Sequence, residues 1–170
     1  VAVLRRFKRH DLFLKMARAL IDKYSGKNFT FLIAGDGPQK KRILDLINEL
    51  DIVVNVKLLG HVDQVPELLS ALDVFVLSSD SKEGVPQSVI QALSMNISVV
   101  ATNSGSTRDL LNNNSFYLAD TNNVDDLVKG VSYFLHNSFR NKTREYILTG
   151  YTKSVMSNKI IQMYKGLIKN

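Results

Sequence analysis

The chain has 170 residues, 45% of them hydrophobic and 22% charged, ordinary values for one well-buried globular domain. It has no cysteine, which excludes disulfides and thiolate metal sites, and no apolar run approaches the ~20 residues of a membrane span. The net charge of +6 points to an anionic partner: nucleic acid, an anionic membrane surface or a phosphorylated small molecule.

Residues 1–4 read as a short buried strand, followed by the basic run Arg5, Arg6, Lys8 and Arg9. With no methionine and no lead-in, this start suggests a fragment of a longer protein. Asp11 is placed to cap a helix reaching Lys23, with Leu12, Met16, Ala19 and Leu20 at helical spacing. Residues 29–34 (FTFLIA) form a second buried strand, and Gly35-Asp36-Gly37-Pro38 a tight turn. An amphipathic helix over 39–50 turns Ile43, Leu44 and Ile47 inward.

A third strand covers 53–59, a short helix 66–71, and a fourth strand 74–77. A polar loop then leads to a helix starting at Pro86 and a strand over 97–101. Beyond the Gly105 turn come a helical piece near 108–111, a surface turn at 112–114 and a weak strand over 116–118. Helices follow over 124–136, 138–149 and 152–169, the last with Val155, Ile160, Ile161, Tyr164 and Ile168 apolar. Alternating helices with continuously apolar strands specify an α/β fold: a Rossmann-like parallel sheet of about six strands, helices on both faces, ending in C-terminal helices. Residues 1–170 thus read as one domain.

A parallel sheet collects ligands where strand ends meet helix starts, which directs attention to residues 77–102. Pro38, Pro66 and Pro86 each take the first position of an expected helix, preceded by Gly37, Val65 and Val85, none of which offers a side-chain cap. At Pro86 this frees the amides of Gln87, Ser88 and Val89 for an anion such as phosphate, with water as the alternative occupant. Glu83, beside Gly84, would repel a phosphate and is better suited to accept from a sugar hydroxyl, unless it is simply solvated. Gln87, Ser88 and Gln91 share a helix face, while Val89, Ile90 and Leu93 face the core. Arg5 and Lys8 follow a strand end and could counter a diphosphate. His10, His61 and His136 are too scattered for a metal set, and no triad is visible. Few aromatics lie near the basic clusters, so no stacking platform for nucleic acid is expected. Gly35-Asp36-Gly37 lacks the third glycine of a dinucleotide fingerprint, which counts against an oxidoreductase domain.

These pieces resemble, in order, the C-terminal half of the group-one retaining glycosyltransferases of the GT-B fold. VAVLRRFKRHDLFLKMA is similar to the family's first strand, basic turn and helix, and FLIAGDGPQKKRI to its GxGP-type turn. VKLLGHVDQVPELLSALDVFVLSS resembles its base-binding segment, EGVPQSVIQALSMNISVVAT its E-x7-E region, and TNSGSTRDLL the turn and helix beyond. The resemblance implies a nucleotide-sugar-binding domain of a hexosyltransferase, its N-terminal acceptor half lying outside this chain, and an isolated domain that transfers little. The donor would be UDP- or GDP-linked, the acceptor a glycan or lipid-linked chain, with no metal or other cofactor. The resemblance also implies a cytoplasmic enzyme, with a peripheral contact at the inner membrane face.

By the same resemblance, Glu83 contacts the donor sugar. The backbone of Gly84, Val85, Pro86, Gln87 and Ser88 holds the diphosphate, with Gly35 and Gly37 at the turn. Arg5 and Lys8 neutralise the leaving group, and Val62 packs near the base. The family's ribose-binding glutamate is Gln91 here, which loses a charge-assisted hydrogen bond of roughly 1–2 kcal/mol. This departure keeps a non-catalytic nucleotide-binding relative, or partner subunit, as the alternative. Arg9 stands where the family usually has glycine, a second departure that bears on the position of Lys8.

Overall fold

The apolar runs pair as five parallel strands in the computed structural model, which describes residues 1–80, 83–110, 115–137 and 143–168. Strand β1 (Phe31–Ala34) pairs with β2 (Val56–Gly60) in a two-stranded sheet, and β3 (Val74–Leu77) pairs with β4 (Ser98–Thr102), which pairs with β5 (Phe116–Ala119), in a three-stranded one. The helices are α1 (His10–Lys23), α2 (Lys40–Glu49), α3 (Val65–Ser70), α4 (Gln87–Ser94), α5 (Val124–His136), α6 (Thr143–Gly150) and α7 (Lys153–Ile168).

Strand β4 shows why this is a two-faced sheet. All five of its residues are buried. Val100 joins a core built from α1, β1, α2, β2 and α5, while Val99 and Ala101 join a second core built from β3, α4 and α6. Alternate side chains of one strand thus enter opposite layers, as a parallel sheet covered by helices requires. The expected Rossmann-like architecture with its C-terminal helices is the one found.

The expected sixth strand is not formed. Residues 1–4 run extended beside the end of β1, donating from Ala2 to Ala34 and from Leu4 to Asp36. They make no strand ladder, and only Leu4 is fully buried. Gly35 and Gly37 fit closely beneath this segment. A β-carbon on Gly35 would lie 1.8 Å from the Ala2 carbonyl oxygen, and one on Gly37 2.8 Å from the Leu4 amide nitrogen.

Several boundaries differ from the reading of the sequence. Val53 and Val54 are exposed in a turn that follows Asp51 at φ 51°, so the β-branched run pairs only from Val56. Asp11 lies in the first turn of α1; the position before the helix is Arg9, at φ 50°. In α2 it is Ile43 and Ile47 that are buried, while Leu44 is exposed. The surface turn expected at 112–114 lies outside the described residues, as does the start expected for α6. The face of α7 carrying Met156, Ile160, Ile161 and Tyr164 is exposed. No helix among the described residues is long and apolar enough to cross a membrane.

Candidate active site

The register Leu77↔Ala101 and Thr102↔Ala119 brings the C-terminal ends of β3, β4 and β5 level. The loops that leave them therefore share one edge of the sheet. Thr102 Oγ1 donates to the Ser79 carbonyl at 2.5 Å, tying the end of β4 to the loop after β3. The Asp80 amide donates to the Phe7 carbonyl at 2.8 Å, and the Ser78 hydroxyl lies 3.0 Å from the carbonyls of both Lys8 and Arg9. The 3-10 turn Arg6–Lys8 is thereby fastened over the end of β3.

Glu83 and Lys8, 75 residues apart, meet at this edge. Lys8 Nζ donates to Glu83 Oε1 at 2.5 Å, and Ser79 Oγ donates to the same oxygen at 2.5 Å. The side chains are 17% and 9% exposed, so the pair is screened less than a surface ion pair. Glu83 Oε2 makes no hydrogen bond among the described residues. One oxygen of Glu83 is thus held by two donors of the chain. Lys8 uses one of the three donors of its ammonium in this pair.

Arg9 explains how the turn reaches this position. Its left-handed backbone is the conformation that glycine adopts freely and other residues adopt at a cost of about 1–2 kcal/mol. Its guanidinium binds Asp11 in a bidentate pair, both contacts at 2.9 Å, and also donates to Asn122. Burial alone would raise the Asp11 carboxyl, but the Arg9 hydrogen bond and charge outweigh it and hold it below the usual range. Arginine at a glycine-like position therefore leaves Lys8 able to reach Glu83.

Helix α4 begins beside Glu83. Pro86 occupies the cap position rather than the first helical position, and no side chain caps the helix. The Val89 amide is taken by the Pro86 carbonyl at 3.0 Å, which removes it from the expected free set. The amides of Gln87 and Ser88 make no hydrogen bond among the described residues. Gly84 and Val85 are exposed, and nothing lies within 4 Å of a β-carbon built on Gly84, so the backbone is open to a ligand here. Gln91 is exposed one turn further along.

Gly105 was legible in the sequence only as a turn. At φ 52° it lies so close to the Glu83 backbone that a β-carbon would sit 1.6 Å from the Glu83 carbonyl oxygen. Its lack of a side chain lets the loop after β4 support the loop that carries Glu83. Val62 is half-buried in the turn after β2, and Gly35 and Gly37 are already accounted for by their packing under residues 1–4. Arg5 is exposed and has no ion pair among the described residues. The histidines do not converge. His61 pairs with Asp63 and His136 contacts the Ser132 carbonyl, while burial, with the charge of Lys8 nearby, holds His10 below the usual imidazole range.

The sequence profile described as "Glycosyl transferases group 1" matches residues 1–151. The chain belongs to the group 1 glycosyltransferases. An uncharacterized glycosyltransferase of Haemophilus influenzae is 27% identical over 169 residues, which cover 95% of this chain and 46% of that relative. A poly(ribitol-phosphate) alpha-N-acetylglucosaminyltransferase of Staphylococcus aureus is 26% identical over 166 residues, 94% of this chain and 33% of its own length. The crystal structure of a point mutant of S. aureus TarM, in complex with Fondaparinux, alpha-GlcNAc-glycerol and UDP, superposes with a TM-score of 0.85 at 25% identity. That match covers 96% of this group 1 chain and 34% of TarM. The chain therefore spans half or less of the length of these relatives, and it has the fold of transferases that use nucleotide sugars.

Proposed function

We propose that this chain is the donor-binding, C-terminal half of a retaining hexosyltransferase that moves a sugar from a UDP- or GDP-linked donor to a glycan or lipid-linked acceptor. The observation that carries this reading is Glu83, with Oε1 bound by Lys8 and Ser79 beside the uncapped start of α4. Oε2 accepts from a donor-sugar hydroxyl. The free amides of Gln87 and Ser88, with the open backbone at Gly84 and Val85, hold the diphosphate at the positive end of the helix dipole. Gln91 reaches the ribose, and Val62 and the Gly35–Gly37 turn border the nucleotide.

In the transfer step the bond between the anomeric carbon and the diphosphate oxygen breaks, and its electron pair stays with the diphosphate. The acceptor oxygen attacks the same face, and its proton passes to the departing diphosphate oxygen. The remaining Lys8 donors and Arg5 stabilise the charge that grows there, a preorganised electrostatic contribution. These cations take the neutralising role in a metal-independent reaction. The enzyme would work in the cytoplasm, at the inner face of the membrane where the acceptor is lipid-linked. The S. aureus relative named for poly(ribitol-phosphate) makes an anionic polymer a candidate acceptor.

Gln91 supports a second reading, a relative that binds nucleotide without transfer, because an amide replaces the carboxylate expected there. The test is transfer by the full-length protein from labelled UDP- and GDP-sugars to a panel of glycan and lipid-linked acceptors. Product with the donor's anomeric configuration, absent in Glu83→Gln, is the expected result. Inverted product overturns the mechanism, and binding without turnover across the panel favours the second reading.

A further inference from the structure

Among the described residues the two sheets are not hydrogen-bonded to each other. Between β1 and β3 lies a slot of about 370 Å³, bordered by Leu32, Val74, Val76, Phe13, Leu72 and Leu135. All six of these apolar residues are only half-buried. Every residue of β4, which has a strand on each side, is buried, as a parallel sheet covered on both faces requires. The slot also has a polar edge. The amides of Phe31 and Gly35 donate to the carbonyls of Asn55 and Gly60, so the odd-numbered residues of β1 face β2. Strand alternation turns the backbone of Leu32 and Ala34 the other way, and the Ala34 carbonyl accepts from Ala2 at 3.0 Å. Leu32 thus points an amide and a carbonyl into the slot, and buried backbone groups are almost always paired. An apolar ligand would fill the space and leave both bare, whereas an extended peptide satisfies both.

We propose that the slot holds a sixth, central β-strand formed by the residues that lead into Val1 in the full-length protein. The proposal rests on the reading of this chain as the C-terminal half of a longer transferase. The bonds from Ala2 to Ala34 and from Leu4 to Asp36 run parallel to β1 and set Val1 opposite Ala34. Continued backwards in this register, the chain passes between β1 and β3, with the second residue before Val1 opposite Leu32. The residue just before Val1 then donates to the Leu32 carbonyl, and the third residue before Val1 accepts from the Leu32 amide. Phe13, Val74, Val76 and Leu135 pack on the core around α1 and α5, and Leu72 on the core around α4. Both faces of the slot are therefore apolar, and the three residues before Val1 should be apolar without alternation. This strand leads through residues 1–4 into the Arg6–Lys8 turn, so it anchors the upstream half in the sheet and sets Lys8 against Glu83.

Amide hydrogen exchange of the full-length protein, followed by NMR, tests this without a substitution. Phe31 and Leu32 are adjacent, but only the Leu32 amide depends on the slot. It should exchange within about tenfold of the Val99 amide, which donates to Ser115 from the buried β4. A Leu32 amide faster than both Phe31 and Val99 by more than that means an open slot and overturns the proposal. The occupant is identified by Leu32→Cys combined with a cysteine at the second position before Val1, in a background free of other cysteines. Strand spacing there suits a disulfide, and oxidation should give an intrachain bond. A bond between two chains, no bond, or a charged residue among the three before Val1 overturns the assignment to this segment. Nucleotide-sugar binding is a separate readout: its absence with a protected Leu32 sinks the donor-site reading and leaves the strand in place.

Discussion

Residues 5–9 hold cations in two different states. Lys8 and Arg9 each touch a carboxylate of the same chain, Glu83 and Asp11, and are half-buried. Arg5 and Arg6 are exposed and have no such contact among the described residues. The paired cations shape this edge: one fixes the Glu83 carboxylate, and the other offsets the left-handed backbone that carries the turn across. The unpaired ones add little to stability, since exposed charges are well screened, and are free to meet an anion. Substitutions in the two groups should therefore have different signatures.

The largest effect is expected at the paired end. Under the proposed mechanism, Glu83→Gln or Lys8→Met in the full-length protein should lower kcat about 10²–10³-fold, measured at saturating donor, because each would remove preorganised charge beside the leaving diphosphate. Gly105→Ala attacks the same carboxylate from behind. Its methyl group collides with the Glu83 carbonyl at a backbone angle that alanine tolerates poorly, so urea denaturation should show a loss of roughly 2–4 kcal/mol.

His10 gives a third state, neutral and half-buried beside Lys8. Its folded value lies below the ordinary 6.5, mainly through burial, so below pH 6.5 the unfolded chain binds a proton that the folded chain refuses. Stability should be full above pH 6.5 and fall as the pH drops below it, and His10→Leu should flatten that fall in urea denaturation. Smaller again is Gln91→Glu, which restores the carboxylate that the proposed ribose contact would use and should tighten nucleotide-sugar binding by up to about tenfold. A drop in affinity would mean that the amide is a specific adaptation. Smallest is Arg6→Gln, expected to leave the unfolding free energy within about 0.5 kcal/mol and so to mark the unpaired group as no part of the framework.

Much of this architecture was legible in the residues. The limits of β3 and α5 match the apolar pattern, because local periodicity sets both. The uncapped helix start was visible in Val85-Pro86, although the helix begins one residue later than the proline suggested. Val53 and Val54 misled because the left-handed turn at Asp51 overrides β-propensity. The contact between Lys8 and Glu83 could not be read, since 75 residues separate them and only hydrogen bonds from Ser78 and Asp80 to the carbonyls of Phe7, Lys8 and Arg9 bring their loops together. Gly105 was hidden for the same reason: its partner is a backbone carbonyl distant in sequence.

The central claim is that Glu83 reads the sugar of a nucleotide sugar. Calorimetry of the full-length protein and its Glu83→Gln variant with UDP, GDP and their sugars tests it directly. One nucleotide sugar should bind the unaltered protein more tightly than its bare nucleotide, and the ratio of the two affinities should collapse to near one in Glu83→Gln. No binding of any of these ligands, or a ratio that Glu83→Gln leaves unchanged, would contradict the account.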